Sequence, residues 1–223
     1  MKLVYFNVKG LAENTRILLA AAGAEYEDFR YPLKINDWTT YDFTRDEFNK
    51  DKADGKLWES MDKVPFLEVK NGETVLRIAQ SKAIERYVAN KFGFMGNNNE
   101  EVALIDSYCE FLIDFKTAYG GEKRKPNKEE AMKKWFDETL VEKLERFEKI
   151  ISNDGMFEDG FTVGDKLSLA DVSIYSFLVE FFDNKEGATL AYKDCPKLKA
   201  IVKNVTNNEK ISHWLNNRPV GSF

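Results

Sequence analysis

The amino-acid sequence predicts a small α/β domain followed by an all-helical one. Three observations carry that expectation. Strand-like and helix-like apolar patterns alternate over residues 3–91. A Gly/Asn-rich stretch, Phe92-Gly-Phe-Met-Gly-Asn-Asn-Asn99, then interrupts them. Every periodic segment beyond it steps by three or four residues.

Leu3–Phe6 is a short apolar strand, with Gly10 breaking the pattern after it. Ile17, Leu18, Ala21 and Ala22 give residues 11–22 a helical stripe that Gly23 stops. Residues 26–31 make a second strand, halted by Pro32. Strands joined by a helix in this way are parallel, with a right-handed crossover. Residues 34–62 scatter Trp38, Tyr41, Phe43, Phe48, Leu57 and Trp58 among charges with weak periodicity. One or two short helices and a mobile loop are expected there, with an exposed turn over 51–55. Strands follow at 64–69 and 74–78, joined at Asn71-Gly72, a strong hairpin signal. Ser81 then stands as N-cap of a helix over 82–91.

The second half reads as helices only. Leu104, Ile105, Tyr108, Phe111, Leu112 and Phe115 share a face over 100–119, which Gly120-Gly121 ends. Met132, Trp135, Phe136, Leu140, Leu144, Phe147 and Ile151 do the same over 127–152. Ser168-Leu-Ala-Asp171 is a capping-box-like start, with Asp in the Glu place, to a helix over 172–182. Weaker helices are expected over 196–204 and 208–216. The expected division is a domain over 1–92, a linker over 93–99 and a helical domain over 100–223.

Composition narrows the function. The 223 residues are 43% hydrophobic and carry a net charge of -5, which argues against a nucleic-acid partner. Two cysteines without a motif point to a reducing compartment, hence the cytoplasm. No stretch reads as a signal peptide or a membrane span. A single histidine, His213, leaves no basis for a Ser-His-Asp machine or a zinc site, so no metal is expected. Phosphate-binding glycine motifs and Cys-x-x-Cys are absent too. The hairpin and helix start around Gln80-Ser81 suggest a cradle for a small anion, because a helix N-terminus presents unpaired N–H groups. By periodicity alone, Tyr5 is an aromatic strand residue.

Four pieces together say more: Lys2-Leu-Val-Tyr5-Phe-Asn-Val-Lys-Gly10-Leu-Ala-Glu13-Asn-Thr-Arg16, Lys63-Val-Pro65-Phe-Leu-Glu-Val69, Gln80-Ser81-Lys-Ala-Ile84-Glu-Arg86-Tyr87 and Leu169-Ala-Asp171. In this order and spacing they resemble the cytosolic glutathione transferases of the Tyr type. They are most like the sigma class, which includes glutathione-dependent prostaglandin D synthases. The resemblance implies a thioredoxin-like N-terminal domain and an all-helical C-terminal domain. It implies that Tyr5 is catalytic, donating its hydroxyl to the sulfur of glutathione. Such a donor lowers the thiol pKa from about 8.5, and a shift of about two units is worth roughly 2.7 kcal/mol.

By the same resemblance Gln80 and Ser81 hold the γ-glutamyl end and the Val64 backbone pairs with the cysteinyl part. Trp38 and Lys63 hold the glycyl carboxylate, and Asp114 reaches the γ-glutamyl amine from the second subunit of a homodimer. Met61 is a candidate contact in that dimer. Phe6, Leu11, Tyr108, Phe111 and Leu112, with Phe115, are candidates to line a hydrophobic second-substrate pocket between the domains. On periodicity the helical four serve equally as core. Ser168 and Asp171 are structural.

The implied activity joins the thiolate of reduced glutathione to a small hydrophobic electrophile. The same thiolate serves isomerase or peroxidase chemistry, and some relatives are non-enzymatic carriers or structural proteins. This chain departs from the sigma pattern at Leu11, where an Arg is common. It departs also in its span from Trp38 to Lys63, longer by about a dozen residues in a region where long loops are often functional, and in the Arg77-Ile-Ala before Gln80.

Overall fold

The computed structural model describes residues 1–37 and 42–219. The chain divides into two compact units, Met1–Val88 with His213–Phe223, and Ala89–Ser212.

The first unit begins with β1 (Lys2–Phe6), a short 3-10 turn (Gly10–Ala12), α1 (Glu13–Ala22) and β2 (Glu27–Tyr31). Gly23 ends α1 in the left-handed region at φ 63. Its N–H and that of Ala24 bond back to Ala20 O (2.8 Å) and Leu19 O (3.0 Å), satisfying carbonyls the helix leaves open. β2 pairs parallel with β1, from Lys2↔Glu27 to Phe6↔Tyr31. β5 (Phe66–Asn71) and β6 (Thr74–Ala79) complete a mixed sheet of order β2-β1-β5-β6. Their turn is Gly72-Glu73, because Asn71 pairs with Thr74. It lies one residue later than expected, with Gly72 supplying the positive φ of 62.

The span over 34–62 departs from expectation. β3 (Lys34–Asp37) and β4 (Asp42–Thr44) form an antiparallel ribbon, and α2 (Asp46–Ala53) absorbs most of the expected exposed turn. Among its described residues, the buried side chains are scattered rather than spaced at a helical or strand period, which explains the weak periodicity. Phe48, 6% exposed, packs on Phe6 and Tyr31 with centroids at 5.2 and 5.8 Å. Asp51 accepts from Tyr31 Oη at 2.8 Å and pairs with Lys56 at 2.7 Å. α3 (Ser81–Phe92) follows β6. Its first carbonyl is that of Gln80, which accepts from Ile84 N–H at 3.0 Å. Gln80 is therefore the cap and Ser81 the first helical residue, a correction to the expected N-cap.

The second unit is helical. α4 (Asn99–Lys123) is capped by Asn98, whose side chain accepts from Glu101 N–H at 2.9 Å. It continues through Gly120 and Gly121. Each glycine costs about 1 kcal/mol in a helix interior. Tyr119, held among Trp135, Phe136, Phe181 and Phe182, and the Lys123–Asp183 pair at 2.6 Å keep that last turn in place. α5 (Lys128–Lys134) and α6 (Leu140–Asn153) are joined by a wide π turn, Trp135–Thr139. A second π turn, Ser176–Phe181, prolongs α7 (Leu169–Tyr175). α8 (Lys185–Ala191), α9 (Pro196–Asn207) and α10 (Glu209–Asn217) complete the helices, α8 being one the sequence did not predict.

α7 carries the expected capping box. Asp171 is fully buried. It accepts from Ser168 N–H and Oγ and from Thr162 N–H, each at 2.7 Å, and from Thr162 Oγ1. The Ser168 hydroxyl in turn accepts from Asp171 N–H at 3.4 Å.

Candidate functional site

Sheet register brings three distant stretches to one edge. Val4 pairs with Phe66, and Phe66 with Ala79, so these residues form a row across β1, β5 and β6. Tyr5 follows Val4, Val64-Pro65 precedes Phe66 and Gln80-Ser81 follows Ala79. Adjacent strands stand about 4.8 Å apart. All three stretches therefore leave the sheet at the same end within roughly 10 Å of one another.

Tyr5 is 8% exposed. Its oxygen accepts a hydrogen bond from Leu11 N–H at 3.2 Å. Among the described residues no group accepts the phenol's own proton. The turn approaches closely: a Cβ at Gly10 would stand 2.7 Å from Tyr5 Oη, and Gly10 has φ +41, so only glycine fits. Burial raises the pKa of Tyr5, partly offset by the Leu11 N–H and by the charge of Arg16, whose guanidinium lies 5.9 Å from the ring centroid. The phenol therefore stays protonated at neutral pH, with its proton available to donate.

Val64-Pro65 is a cis peptide bond, a choice the sequence left open. Three non-glycine residues around it have left-handed backbones: Met61 (φ 59), Asp62 (φ 55) and Gln80 (φ 71). Such conformations are strained and concentrate at ligand clamps. Gln80 Nε2 meets Met61 Sδ at 3.7 Å. Gln80 is exposed and Ser81 half-buried, and neither α3's first turn nor its start holds an acidic side chain. The Ser81 hydroxyl has no partner among the described residues. Lys63 is exposed and forms no ion pair among them. Trp38 lies outside the described residues.

The other expected site residues separate. Phe6, 9% exposed, packs into the Tyr31–Phe48 cluster of the first unit with centroids at 6.4 and 5.2 Å, its ring also 5.6 Å from that of Tyr5. It lines no open surface there. Leu11 is 58% exposed. In the second unit Tyr108, Leu112 and Phe115 are buried. Tyr108 donates to Asp154, and Phe115 packs on Phe147 and Phe177. These three are core, as their helical spacing equally allowed. Phe111 stays half-buried, 5.4 Å from Phe147. Asp114 is exposed on α4.

The sequence reading passed over Glu13 and Arg16, although their spacing on a helix beginning beside Tyr5 was a signal. Arg16 is fully buried and its Nη1 donates to Val8 O (2.8 Å), Lys9 O (3.3 Å) and Glu13 Oε2 (3.3 Å). Its Nε faces Asp28 at 3.2 Å. Among the described residues no cluster of three or more His, Cys, Asp or Glu is placed to hold a metal ion, and no helix is long and apolar enough to cross a membrane.

Comparison with known proteins agrees with this geometry. Residues 1–90 match the glutathione S-transferase N-terminal domain and residues 113–218 the glutathione S-transferase C-terminal domain. S-crystallin SL11 of Nototodarus sloanii is 31% identical over 99% of this chain and 98% of its own length. Glutathione S-transferase alpha-5 of Rattus norvegicus is 30% identical over 96% and 87%. The crystal structure of monomeric Na-GST-3, a glutathione S-transferase from the hookworm Necator americanus, superposes with a TM-score of 0.77. It is 30% identical, covering 100% of this chain and 98% of that one. The chain belongs to the glutathione S-transferase family.

Proposed function

We propose that this protein activates glutathione at Tyr5 and joins its sulfur to small hydrophobic electrophiles. One observation carries the reading: the buried Tyr5 oxygen is already occupied as an acceptor by Leu11 N–H, while its proton has no acceptor among the described residues. A phenol polarised on one side and undirected on the other is ready to donate to a thiolate. Hydrogen bonds to charged partners are worth about 1.5–3 kcal/mol, which brings a bound thiol's pKa down by about one to two units, towards neutrality.

In this reading the cysteinyl backbone pairs with Val64 beside the cis Pro65. Gln80 and Ser81, with the open N–H groups of α3, take the γ-glutamyl carboxylate, and Lys63 takes the glycyl carboxylate. The thiol proton leaves to solvent. The thiolate attacks the electrophilic carbon, an S–C bond forms and a group such as halide departs. Leu11 of the first unit, 58% exposed, is the accessible apolar candidate for the second substrate. The protein acts as a homodimer in the cytoplasm, with Asp114 completing the partner's glutathione site. Trp58 (72% exposed) and Met61 (62%) are exposed apolar side chains available to such an interface. Because the related Na-GST-3 is monomeric, light scattering is the direct check; a monomer removes the Asp114 role.

The activity test is conjugation of a dinitro-activated aryl chloride by the wild type and by Tyr5→Phe, alongside the ultraviolet thiolate band of bound glutathione. Equal rates in the two proteins sink Tyr5 as activator. Leu11 favours a second reading, a glutathione-binding protein without conjugating activity, because an exposed leucine stands where the resembling class often has a cation. Tight glutathione binding with no thiolate band at neutral pH selects that reading.

A further inference from the structure

The chain's C-terminal segment reaches the same turn that polarises Tyr5. Glu13, 5% exposed, has both carboxylate oxygens engaged. Oε1 accepts from Trp214 Nε1 at 2.9 Å and from Arg218 Nη1 at 2.8 Å, and Oε2 accepts from Arg16 at 3.3 Å. Arg16 passes the constraint on. Its Nη1 holds the carbonyls of Val8 and Lys9, which immediately precede the Gly10–Ala12 turn. Its Nη2 is buried with no hydrogen-bond partner among the described residues, so the guanidinium is held by Glu13, Asp28 and the Val8 and Lys9 carbonyls. Leu11 lies two residues beyond Lys9, and its N–H is the one that Tyr5 accepts.

We propose that Trp214 and Arg218 are positioning residues for Tyr5: by holding Glu13 they set Arg16, and through it the turn whose Leu11 N–H polarises the phenol. The inference rests on the reading of Tyr5 as thiol activator. Removing one partner of a buried charge pair leaves the other to find a new pose. Without Arg218, Glu13 shifts, Arg16 loses one of its anchors and the Leu11–Tyr5 hydrogen bond lengthens. Both influences that lower the Tyr5 pKa, the Leu11 N–H and the Arg16 charge, weaken together. The phenol becomes a poorer donor and the bound thiol harder to ionise.

The test compares the wild type, Arg218→Ala, Arg218→Lys and Trp214→Phe, each with and without Tyr5→Phe. Three quantities are read: the pH profile of aryl chloride conjugation, the thiolate titration of bound glutathione, and the Tyr5 phenol titration from the difference spectrum against the Tyr5→Phe counterpart. In Arg218→Ala the acid limb should move up by about half a pH unit, so that kcat/KM on that limb falls about threefold. The phenol titration should move up with it. Arg218→Lys should restore most of the shift, and Trp214→Phe, which keeps the ring and removes one donor, should show a smaller shift of the same sign. If Arg218→Ala does not fold, Trp214→Phe carries the same measurement. A lowered melting temperature with an unmoved acid limb and an unmoved phenol titration overturns the proposal while leaving the Tyr5 reading standing. If the wild type binds glutathione without forming thiolate, the Tyr5 reading fails, and the phenol titration alone decides the linkage: a shift upholds it and none overturns it.

Discussion

Two helix starts in this protein use the same ingredients to opposite ends. At α7, Ser168 and Asp171 close on each other and on Thr162, and the carboxylate is fully buried with both oxygens engaged. At α3, Gln80 caps in a left-handed conformation, the first turn has no acidic residue, and the Ser81 hydroxyl is unused among the described residues. Both helices begin with a serine near unpaired N–H groups. One supplies its own carboxylate and becomes a rigid joint. The other supplies none, and its donors stay open among the described residues. A self-satisfied helix start stabilises; an open one keeps its N–H groups available to an anion.

Four substitutions press on that contrast. The largest effect belongs to Asp171→Ala. It strands the Thr162 and Ser168 donors in the core and should cost about 3 kcal/mol or more of stability, read as a fall in denaturant midpoint. A loss under about 1 kcal/mol would mean that α7 is not the self-satisfied partner of the pair. Next is Tyr5→Phe, which should lower kcat/KM for conjugation about 30-fold near pH 6.5, with little change in stability. Because burial holds the phenol's pKa above its ordinary value, the wild-type profile should rise through the thiol's ionisation. It should then stay level until pH values above about 10, the ordinary phenol pKa. A fall in rate near neutral pH would contradict the donor role.

Ser81→Ala should raise the KM for glutathione about fivefold and leave the melting temperature unchanged, since the hydroxyl is spare in the free protein. A loss of stability instead would make Ser81 structural, and the two helix starts alike. The smallest effect is expected for Asp51→Asn. Hydrogen bonds from Lys56 and Tyr31 hold this carboxylate below its usual range. Its contribution is present above the unfolded pKa and is lost as pH falls through the lowered folded value. Being near the surface, it should be worth about 0.5 kcal/mol, weaken with salt, and leave the glutathione thiolate titration untouched.

Much of this contrast was legible before the fold was seen. Ser168-Leu-Ala-Asp171 announces its capping box because both partners lie within one helical turn. The βαβ unit is equally local: Gly23 and Pro32 punctuate it, and its strands differ from its helix in period. The convergence of Tyr5, Val64 and Gln80 was legible only through family resemblance, since nothing within sixty residues of sequence encodes a shared sheet edge. Over 34–62 the pattern fails for a physical reason. Among the described residues of this span, anchors such as Phe48, Asp51 and Leu57 do not fall at a helical or strand period. Gly120-Gly121 misled because the penalty of two glycines is local, whereas the packing of Tyr119 that outweighs it is not. Glu13 gave no sign that its partners lay some two hundred residues away.

That last contact has a consequence for how the protein is made. Trp214 and Arg218 belong to the first compact unit although the whole second unit is synthesised between. While the ribosome is still translating the helices, the Glu13 carboxylate has neither of these donors, and the first unit exists only in an incomplete form. Domains usually fold in order as they emerge; here Glu13 waits for residues about two hundred positions further on. A nascent chain stopped short of Trp214 would hold its Tyr5 turn more loosely than one that already includes Trp214 and Arg218.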